Sequence, residues 1–159
     1  MIDTKNLPRL LDFKFIWSPS WNKTNNSYYA HVTIYLGIGE DGKYKSKKLS
    51  LQSFLMNPNN DRKIRVDHEN YDTLDNREFN LRVTTNDKNL KHRNGKNSNN
   101  KSGYRNVFWS TKDERWLVVL QIEGKRKCFG RFKYNDLEKA GVLAEKMRQE
   151  HYGAFSGKN

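Results

Sequence analysis

The chain has little of what builds a large hydrophobic core or crosses a membrane. Only 35% of its 159 residues are hydrophobic. No apolar run approaches the roughly 20 residues that a bilayer-spanning helix needs, and residues 1–10 lack a secretory pattern. These shortages favour one ordinary domain or two small ones over a single large core. We therefore expect a soluble, cytoplasmic protein with no membrane partner.

Cysteine is nearly absent, since Cys128 is the single one in the chain. One cysteine excludes both an internal disulfide framework and a zinc site that is built from several cysteines. We expect Cys128 to be a small residue of a strand, and the protein to belong to a reducing compartment.

Acidic residues are scarce relative to basic ones. The 18 Asp and Glu stand against 30 Lys and Arg, which gives a net charge of +12. Residues 91–134 hold 12 of the basic residues and 3 of the acidic ones, so most of the excess lies there. Neutralising phosphates releases counterions, so such a surface predicts a polyanionic partner and salt-dependent binding. The alternative is a basic surface that serves only solubility.

Periodicity and turn signals predict an α+β fold that begins with a β-hairpin. We expect strands over residues 28–36 and 43–49, a short helix over 51–56, brief strands at 64–66 and 81–83, and a helix ending near 93. Ser50 is the candidate N-cap of the first helix, and Thr84 or Thr85 of the second. Residues 1–27 suggest an irregular, partly packed segment.

The C-terminal part predicts three strands and one helix. The strands are expected at 104–110, 115–123 and 127–132, and the helix from Asn135 or Asp136 to about 152. Trp116, Val118, Leu120 and Ile122 share one parity and should face this helix. Residues 94–102 are polar and aperiodic, so we divide the chain into a domain at 1–93, a linker at 94–102 and a domain at 103–156.

A carboxylate and an imidazole adjoin at Asp67 and His68, and an amide follows at Asn89. A hard cation such as Mg²⁺ prefers oxygen ligands and keeps several waters, so Asp67 and Asn89 suffice as protein ligands. The pKa of an ordinary histidine is about 6.5, so His68 can accept a proton from water near neutral pH. Because a strand alternates faces, the two residues converge only if the strand ends or bends there. The residue types predict a metal-dependent phosphodiesterase.

Basic residues on the outer face of the C-terminal sheet are candidates for DNA contact, because the major groove admits a β-ribbon. These candidates are Arg105, Arg115, Gln121, Lys125, Arg126 and Arg131. Earlier in the chain, Arg77 is a candidate for a phosphate contact or for pairing with Asp75. Phosphate attraction is common to both nucleic acids, so an RNA partner stays open.

A run of motifs in the first half carries a family resemblance. The run consists of Asp67-His68, Asn70, Leu74-Asp75-Asn76-Arg77, Asn80-Leu81-Arg82 and Asn89. It resembles the HNH (ββα-metal) endonucleases, which occur as free-standing or intron-encoded homing enzymes, often in phages. The resemblance implies that His68 is the general base and that Asn80 braces the loop. It also implies that Asp67 and Asn89 hold one Mg²⁺ or Mn²⁺.

The second half carries another resemblance. Its residues are Ser102-Gly103-Tyr104-Arg105, Val107, Trp109, Trp116, Gly124-Lys125-Arg126, Phe129-Gly130, Phe132, Tyr152-Gly153 and Phe155. They are similar to the APETALA-type (ethylene-response-factor) domain, which binds double-stranded DNA. Together the two resemblances imply a site-favouring DNA endonuclease of nicking or homing type, monomer or homodimer, in a bacterial host.

Three positions depart from these patterns. Glu69 stands where an apolar residue is usual, Tyr71 where glycine is usual, and Asn106 where the plant domains have glycine. The first two departures favour an alternative, in which the chain is a DNA-binding regulator with an inactive nuclease module.

Overall fold

The computed structural model describes residues 1–23, 25–57, 61 and 63–159, and within them the chain divides into two compact units. The first unit is Met1–Asn86 and the second is Asp87–Asn159. The described residues form three small antiparallel sheets and four α-helices, which confirms the predicted α+β class. None of the helices in these ranges is both long enough and apolar enough to cross a membrane.

The first unit contains two sheets. Its elements are α1 (Leu7–Leu11), β1 (Ser18–Asn22), β2 (Ser27–Ile38), β3 (Tyr44–Ser50), α2 (Leu51–Met56), β4 (Ile64–His68) and β5 (Leu81–Thr85). Strands β1, β2 and β3 form one antiparallel sheet, while β4 and β5 form a separate pair. The predicted hairpin is thus extended by β1, which the sequence left unassigned. Pro19 disguised this strand, because proline is tolerated on an edge strand but argues against a central one.

A small apolar core supports the β4–β5 pair. Leu51 and Leu55 lie one helical turn apart on α2 and are buried together with Leu81, the first residue of β5. Residues from the N-terminal segment and both sheets pack around them: Ile2, Leu10, Trp17, Ala30, Phe54, Met56 and Val66. The helix therefore anchors the strands that end at Asp67 and His68.

The N-terminal segment holds the loop between β4 and β5. The Asn76 amide donates to the Met1 carbonyl at 2.8 Å, and the Glu78 amide donates to the Asp3 carboxylate at 2.7 Å. Lys5 pairs with the side chain of Glu78 at 2.6 Å. The N-terminal segment, to which sequence analysis assigned no role, thus holds the long loop between β4 and β5 in place.

The second unit is a three-stranded sheet packed on one long helix. Its elements are α3 (Asn86–Lys91), which starts at the unit boundary, β6 (Val107–Ser110), β7 (Arg115–Ile122), β8 (Lys125–Phe132) and α4 (Leu137–Tyr152). Trp116, Val118 and Leu120 are buried on the side that faces α4, as their parity predicts. Glu123 and Gly124 join β7 to β8 with φ of 50° and 76°, the backbone that a type I′ hairpin turn requires.

The segment predicted as a linker, together with the residues just before it, belongs to the second unit. The Lys158 amide donates to the Arg93 carbonyl at 3.0 Å, and the buried Ser102 hydroxyl donates to the Val107 carbonyl at 2.8 Å. The rings of His92 and Phe155 also meet edge to face. The predicted boundary after residue 93 therefore falls within the second unit, which already includes most of α3.

Candidate functional site

The end of β4 positions Asp67 and His68. The strand stops at His68, where the Glu69 amide donates to the Asn80 carbonyl at 2.9 Å and closes the loop between the strands. Asp67 is 9% exposed and His68 is 5% exposed. The strand therefore ends at the pair, which is the condition under which Asp67 and His68 can converge. The Asp67 carboxylate is near enough to His68 to act on its pKa in the upward direction.

His68 is held by a buried amide. Its Nε2 lies 3.2 Å from Oδ1 of Asn76, which is 1% exposed. An amide oxygen only accepts, so Nε2 carries the proton and Nδ1 keeps its lone pair. Burial lowers the pKa of His68 below its usual value and outweighs the Asn76 hydrogen bond and the nearby carboxylates, which raise it. The ring is thus a neutral base with a fixed orientation at neutral pH.

Asp67 forms an ion pair with its cross-strand partner Arg82. Nε and a terminal nitrogen of Arg82 donate to Oδ2 of Asp67 at 3.0 and 2.8 Å. The other terminal nitrogen of Arg82 lies 3.8 Å from the Glu69 carboxylate. Among the described residues, no cluster of three or more His, Cys, Asp or Glu side chains could hold a metal. The carboxylate of Asp67 is a hard oxygen group of the kind that Mg²⁺ prefers.

Asn80 and Asp75 form the frame of the loop that follows His68. Asn80 accepts a hydrogen bond from the Asn70 amide at 2.9 Å and donates to the Asp75 carbonyl at 2.7 Å. Asp75 is fully buried, and two nitrogens of Arg77 donate hydrogen bonds to its carboxylate at 2.7 and 2.8 Å. This pair lowers the pKa of Asp75 to about 2. Of the two roles predicted for Arg77, the structure gives it the pairing with Asp75.

Asn89 lies on α3, which follows β5 directly. Its side chain is half-buried and belongs to the second unit, whereas Asp67 and His68 belong to the first. The order strand, loop, strand, helix agrees with the predicted order of elements around these residues.

The outer face of the second sheet gathers four of the predicted DNA contacts. Register places Arg115, Gln121, Arg126 and Arg131 on the side opposite α4, all of them exposed. Val118 pairs with Gly130 but Val119 pairs with Cys128, so Phe129 is the extra residue of a β-bulge. Without the bulge, Arg126 and Arg131 would point to opposite faces, because five residues separate them.

Two other predicted contacts lie elsewhere. Arg105 is 4% exposed, and its guanidinium donates to the carbonyls of four residues: Lys91, Arg93, Ser156 and Lys158. The prediction of a DNA contact for Arg105 is therefore wrong, because these bonds hold the ends of the second unit together. Lys125 pairs with Ile122 and so shares the parity of the core residues rather than that of Arg126.

A polar groove of about 660 Å³ adjoins the outer face. One wall carries Phe108, Gln121 and Arg126 from the sheet. The other wall comes from the segment predicted as a linker and from its neighbours: Arg93, Asn97, Asn99, Asn100 and Lys101. Sequence analysis assigned no role to these asparagines, although their density beside lysines was a compositional signal.

Asn76 and Arg82 are the other residues without a predicted role. Both belong to the motif run, so the signal was present in the sequence, but their partners became identifiable only from the contacts with His68 and Asp67. Comparison of the chain with models of protein families, with curated proteins and with solved structures finds no match.

Proposed function

We propose that the protein is a metal-dependent DNA endonuclease that hydrolyses one phosphodiester bond per active site and works in the cytoplasm. One observation carries this proposal: a neutral histidine, fixed through Nε2 by Asn76, lies beside a buried carboxylate at the end of a β-strand pair that leads into a helix. A buried base of fixed orientation, held next to a hard oxygen ligand, suits the activation of water beside a phosphate.

His68 acts as the general base. Its Nδ1 takes a proton from water while Asn76 holds Nε2–H, so the imidazole keeps one tautomer as the proton arrives. The carboxylates of Asp67, Asp72 and Asp75 favour the imidazolium that then forms, because each raises the pKa of His68. Asn80 keeps the loop around the base in position through Asn70 and Asp75.

Within the first unit, Asp67 is the residue that would hold Mg²⁺ or Mn²⁺. When bound, such an ion polarises the phosphate oxygens and stabilises the departing 3′ oxygen. Arg82 neutralises the carboxylate of Asp67, and another nitrogen of Arg82 lies 3.8 Å from the carboxylate of Glu69. Arg82 can therefore exchange Asp67 for Glu69, which gives the unusual Glu69 a role.

The second unit supplies binding to double-stranded DNA. Arg115, Arg126 and Arg131 are exposed on one face and fit phosphates or guanine edges, while Gln121, the cross-strand partner of Arg126, fits an adenine edge. Most of these contacts go to phosphates, which position the protein without specifying sequence. A monomer with one active site then cuts one strand of the duplex. A double-strand break requires a homodimer or a second binding event.

Nicking of supercoiled plasmid in Mg²⁺ tests the enzyme. We expect His68→Ala to lower the nicking rate about 10²- to 10⁴-fold, and Asp67→Ala to abolish it. Both variants should bind DNA as the native chain does. His151→Ala is the matched control, because His151 is an exposed histidine of α4. Nicking that survives in both site variants would refute the proposal.

A DNA-binding regulator is the second candidate, and the Asp67–Arg82 ion pair favours it because the pair neutralises the carboxylate that a cation needs. A regulator binds plasmid but leaves it supercoiled at every Mg²⁺ and Mn²⁺ concentration. Arg82→Gln separates the two candidates further. In an enzyme we expect this variant to change the Mg²⁺ concentration that gives half-maximal nicking.

A further inference from the structure

The first unit contains a basic cleft that has no part in the hydrolysis described above. It is an open cavity of about 990 Å³ bordered by β1, β2, β3 and α2. This volume lies at the upper end of the range typical of ligand sites, about 300–1,000 Å³. The lining residues that matter below are Arg9, Lys23, Lys47, Lys48, Trp21, Tyr29 and Gln52.

The charge of the basic cleft favours an anion. Arg9, Lys23 and Lys48 line it, whereas Asp61 is the one carboxylate among the lining residues that the structure describes. Lys47 also borders it, but its side chain lies on the sheet face opposite that of Lys48, because neighbouring residues of a strand alternate. Burial lowers the pKa of His31 in the same wall, and the nearby Lys48 lowers it further. His31 is therefore neutral near pH 7 and adds no charge that repels or attracts a ligand. A polyanion neutralises the cations of the cleft, and phosphates are the obvious source.

An aromatic ring and a recessed amide accompany these cations. The ring is that of Tyr29, since Trp21 pairs with Tyr28 and packs its ring against it on the other face of the sheet, at 4.8 Å between centroids. Gln52 is 8% exposed, and its Oε1 accepts no hydrogen bond from any described residue. A buried amide oxygen without a donor is unfavourable, and the amino or imino group of a base can supply one. Cations that follow a backbone and rings that stack on bases are the features of single-strand binding sites.

The basic cleft adjoins the general base. Tyr29 lines the cleft, and its ring meets the ring of His68 edge on, at 6.2 Å between centroids. A strand whose scissile phosphate lies at His68 therefore has its neighbouring nucleotides within reach of the cleft.

We propose that the basic cleft binds an unpaired stretch of the substrate DNA strand beside the scissile phosphate, which rests on the nuclease function proposed above. Lys23 and Lys48 hold its phosphates, and a base stacks on Tyr29. The stretch must be unpaired, because a duplex hides the faces of its bases in the stack. The nuclease then favours DNA that is locally opened at the cut, such as a fork, a gap or a bubble.

Photocrosslinking of the full chain tests this proposal without metal or cleavage. The probe is a 12-nucleotide oligothymidylate that carries one 5-iododeoxyuridine, irradiated with the protein in EDTA, with the attachment sites mapped by mass spectrometry. We expect crosslinks at Tyr29. The double variant Lys23→Gln/Lys48→Gln should lower them about fivefold, since each lost phosphate contact weakens binding.

The matched control is Lys43→Gln/Lys45→Gln, which removes the same charge from the first unit outside the cleft. Crosslinks that fall equally in both double variants, that lie only in the second unit, or that form as well with the annealed duplex would overturn the proposal. A stronger signal with oligouridylate RNA would do the same. All four lysines are exposed, so folding is preserved and is checked by thermal unfolding. Because the assay needs no hydrolysis, crosslinks at the cleft in a chain that does not nick would count against the nuclease alone.

Discussion

The two units bury different kinds of residue. Around its loop the first unit buries two carboxylates, Asp67 and Asp75, and each is paired with an arginine. The charged residues that the second unit buries are two arginines, Arg105 and Arg148, and both donate to backbone carbonyls. Its core cluster is apolar and includes Val118 and Leu120, which are fully buried.

This difference concerns what holds each unit together. A buried, paired carboxylate stabilises a loop at the expense of apolar packing. A close-packed apolar core supports the sheet from one side and leaves the arginines of the other side exposed. In the function that we propose, the first unit carries the chemistry and the second presents the DNA-binding surface.

The largest effect that should separate the units is the loss of core packing in the second. Leu120→Ala removes a side chain with 0% exposure and should destabilise the second unit by about 2 to 5 kcal/mol. Hydrogen exchange measured by mass spectrometry should show faster exchange in residues 87–159 and unchanged exchange in residues 1–86. Val142→Ala, at a side chain 70% exposed, is the control. Faster exchange in both units would remove the distinction.

A buried arginine and an exposed one should behave in opposite ways. Arg105→Gln loses charge-assisted bonds to four carbonyls, so we expect about 2 to 3 kcal/mol less stability. It should leave the salt dependence of DNA binding unchanged. Arg126→Gln should leave stability unchanged and lower the salt slope by about 1. Denaturant titration and binding at several salt concentrations measure the two quantities, and a changed salt slope in Arg105→Gln would restore its predicted DNA contact.

Relieving backbone strain in the first unit should change the stability by less than the two substitutions above. Tyr71 has φ of 69°, a left-handed conformation that glycine adopts without penalty. Tyr71→Gly should therefore stabilise the first unit by about 1 kcal/mol. Tyr44→Gly in β3 removes the same side chain at a residue without positive φ and should destabilise instead. Denaturant midpoints of the two variants decide the matter, and equal losses would mean that the Tyr71 contacts outweigh the strain.

The smallest effect is expected on the stability of the first unit at low pH. Arg77 lowers the pKa of Asp75 from 3.8 to about 2, so this pair stabilises the first unit above pH 3.8. That stabilisation is lost as pH falls towards 2, because the unfolded chain then binds the proton more readily. Carbon NMR of the Asp75 carboxyl should follow its titration, and Arg77→Gln should move the midpoint upward. An unchanged midpoint would show that the other hydrogen bonds to this carboxylate, from the Arg77 amide and Asn70, keep its pKa low.

Much of the fold could be predicted from local pattern. The alternation of Trp116, Val118 and Leu120 fixed which face of β7 is buried, and the Glu123-Gly124 turn fixed the hairpin. The strand β1 was missed because Pro19 obscured it. The buried role of Arg105 was missed because its partners are carbonyls far along the chain, which carry no signature in sequence.

By itself the sequence determined the residue types, their order and the charge: Asp67 beside His68, an amide on the helix after β5, and a basic second half. Only the tertiary structure decided which atoms meet. It set Asn76 on His68, Arg82 on Asp67, and, through the bulge at Phe129, Arg126 and Arg131 on one face. The physical reason is twofold. Periodicity predicts which face of a sheet a residue lies on only while the hydrogen-bond ladder between the strands is regular. The partner of a side chain comes from a distant segment of the chain, and local sequence patterns carry no information about which segment that is.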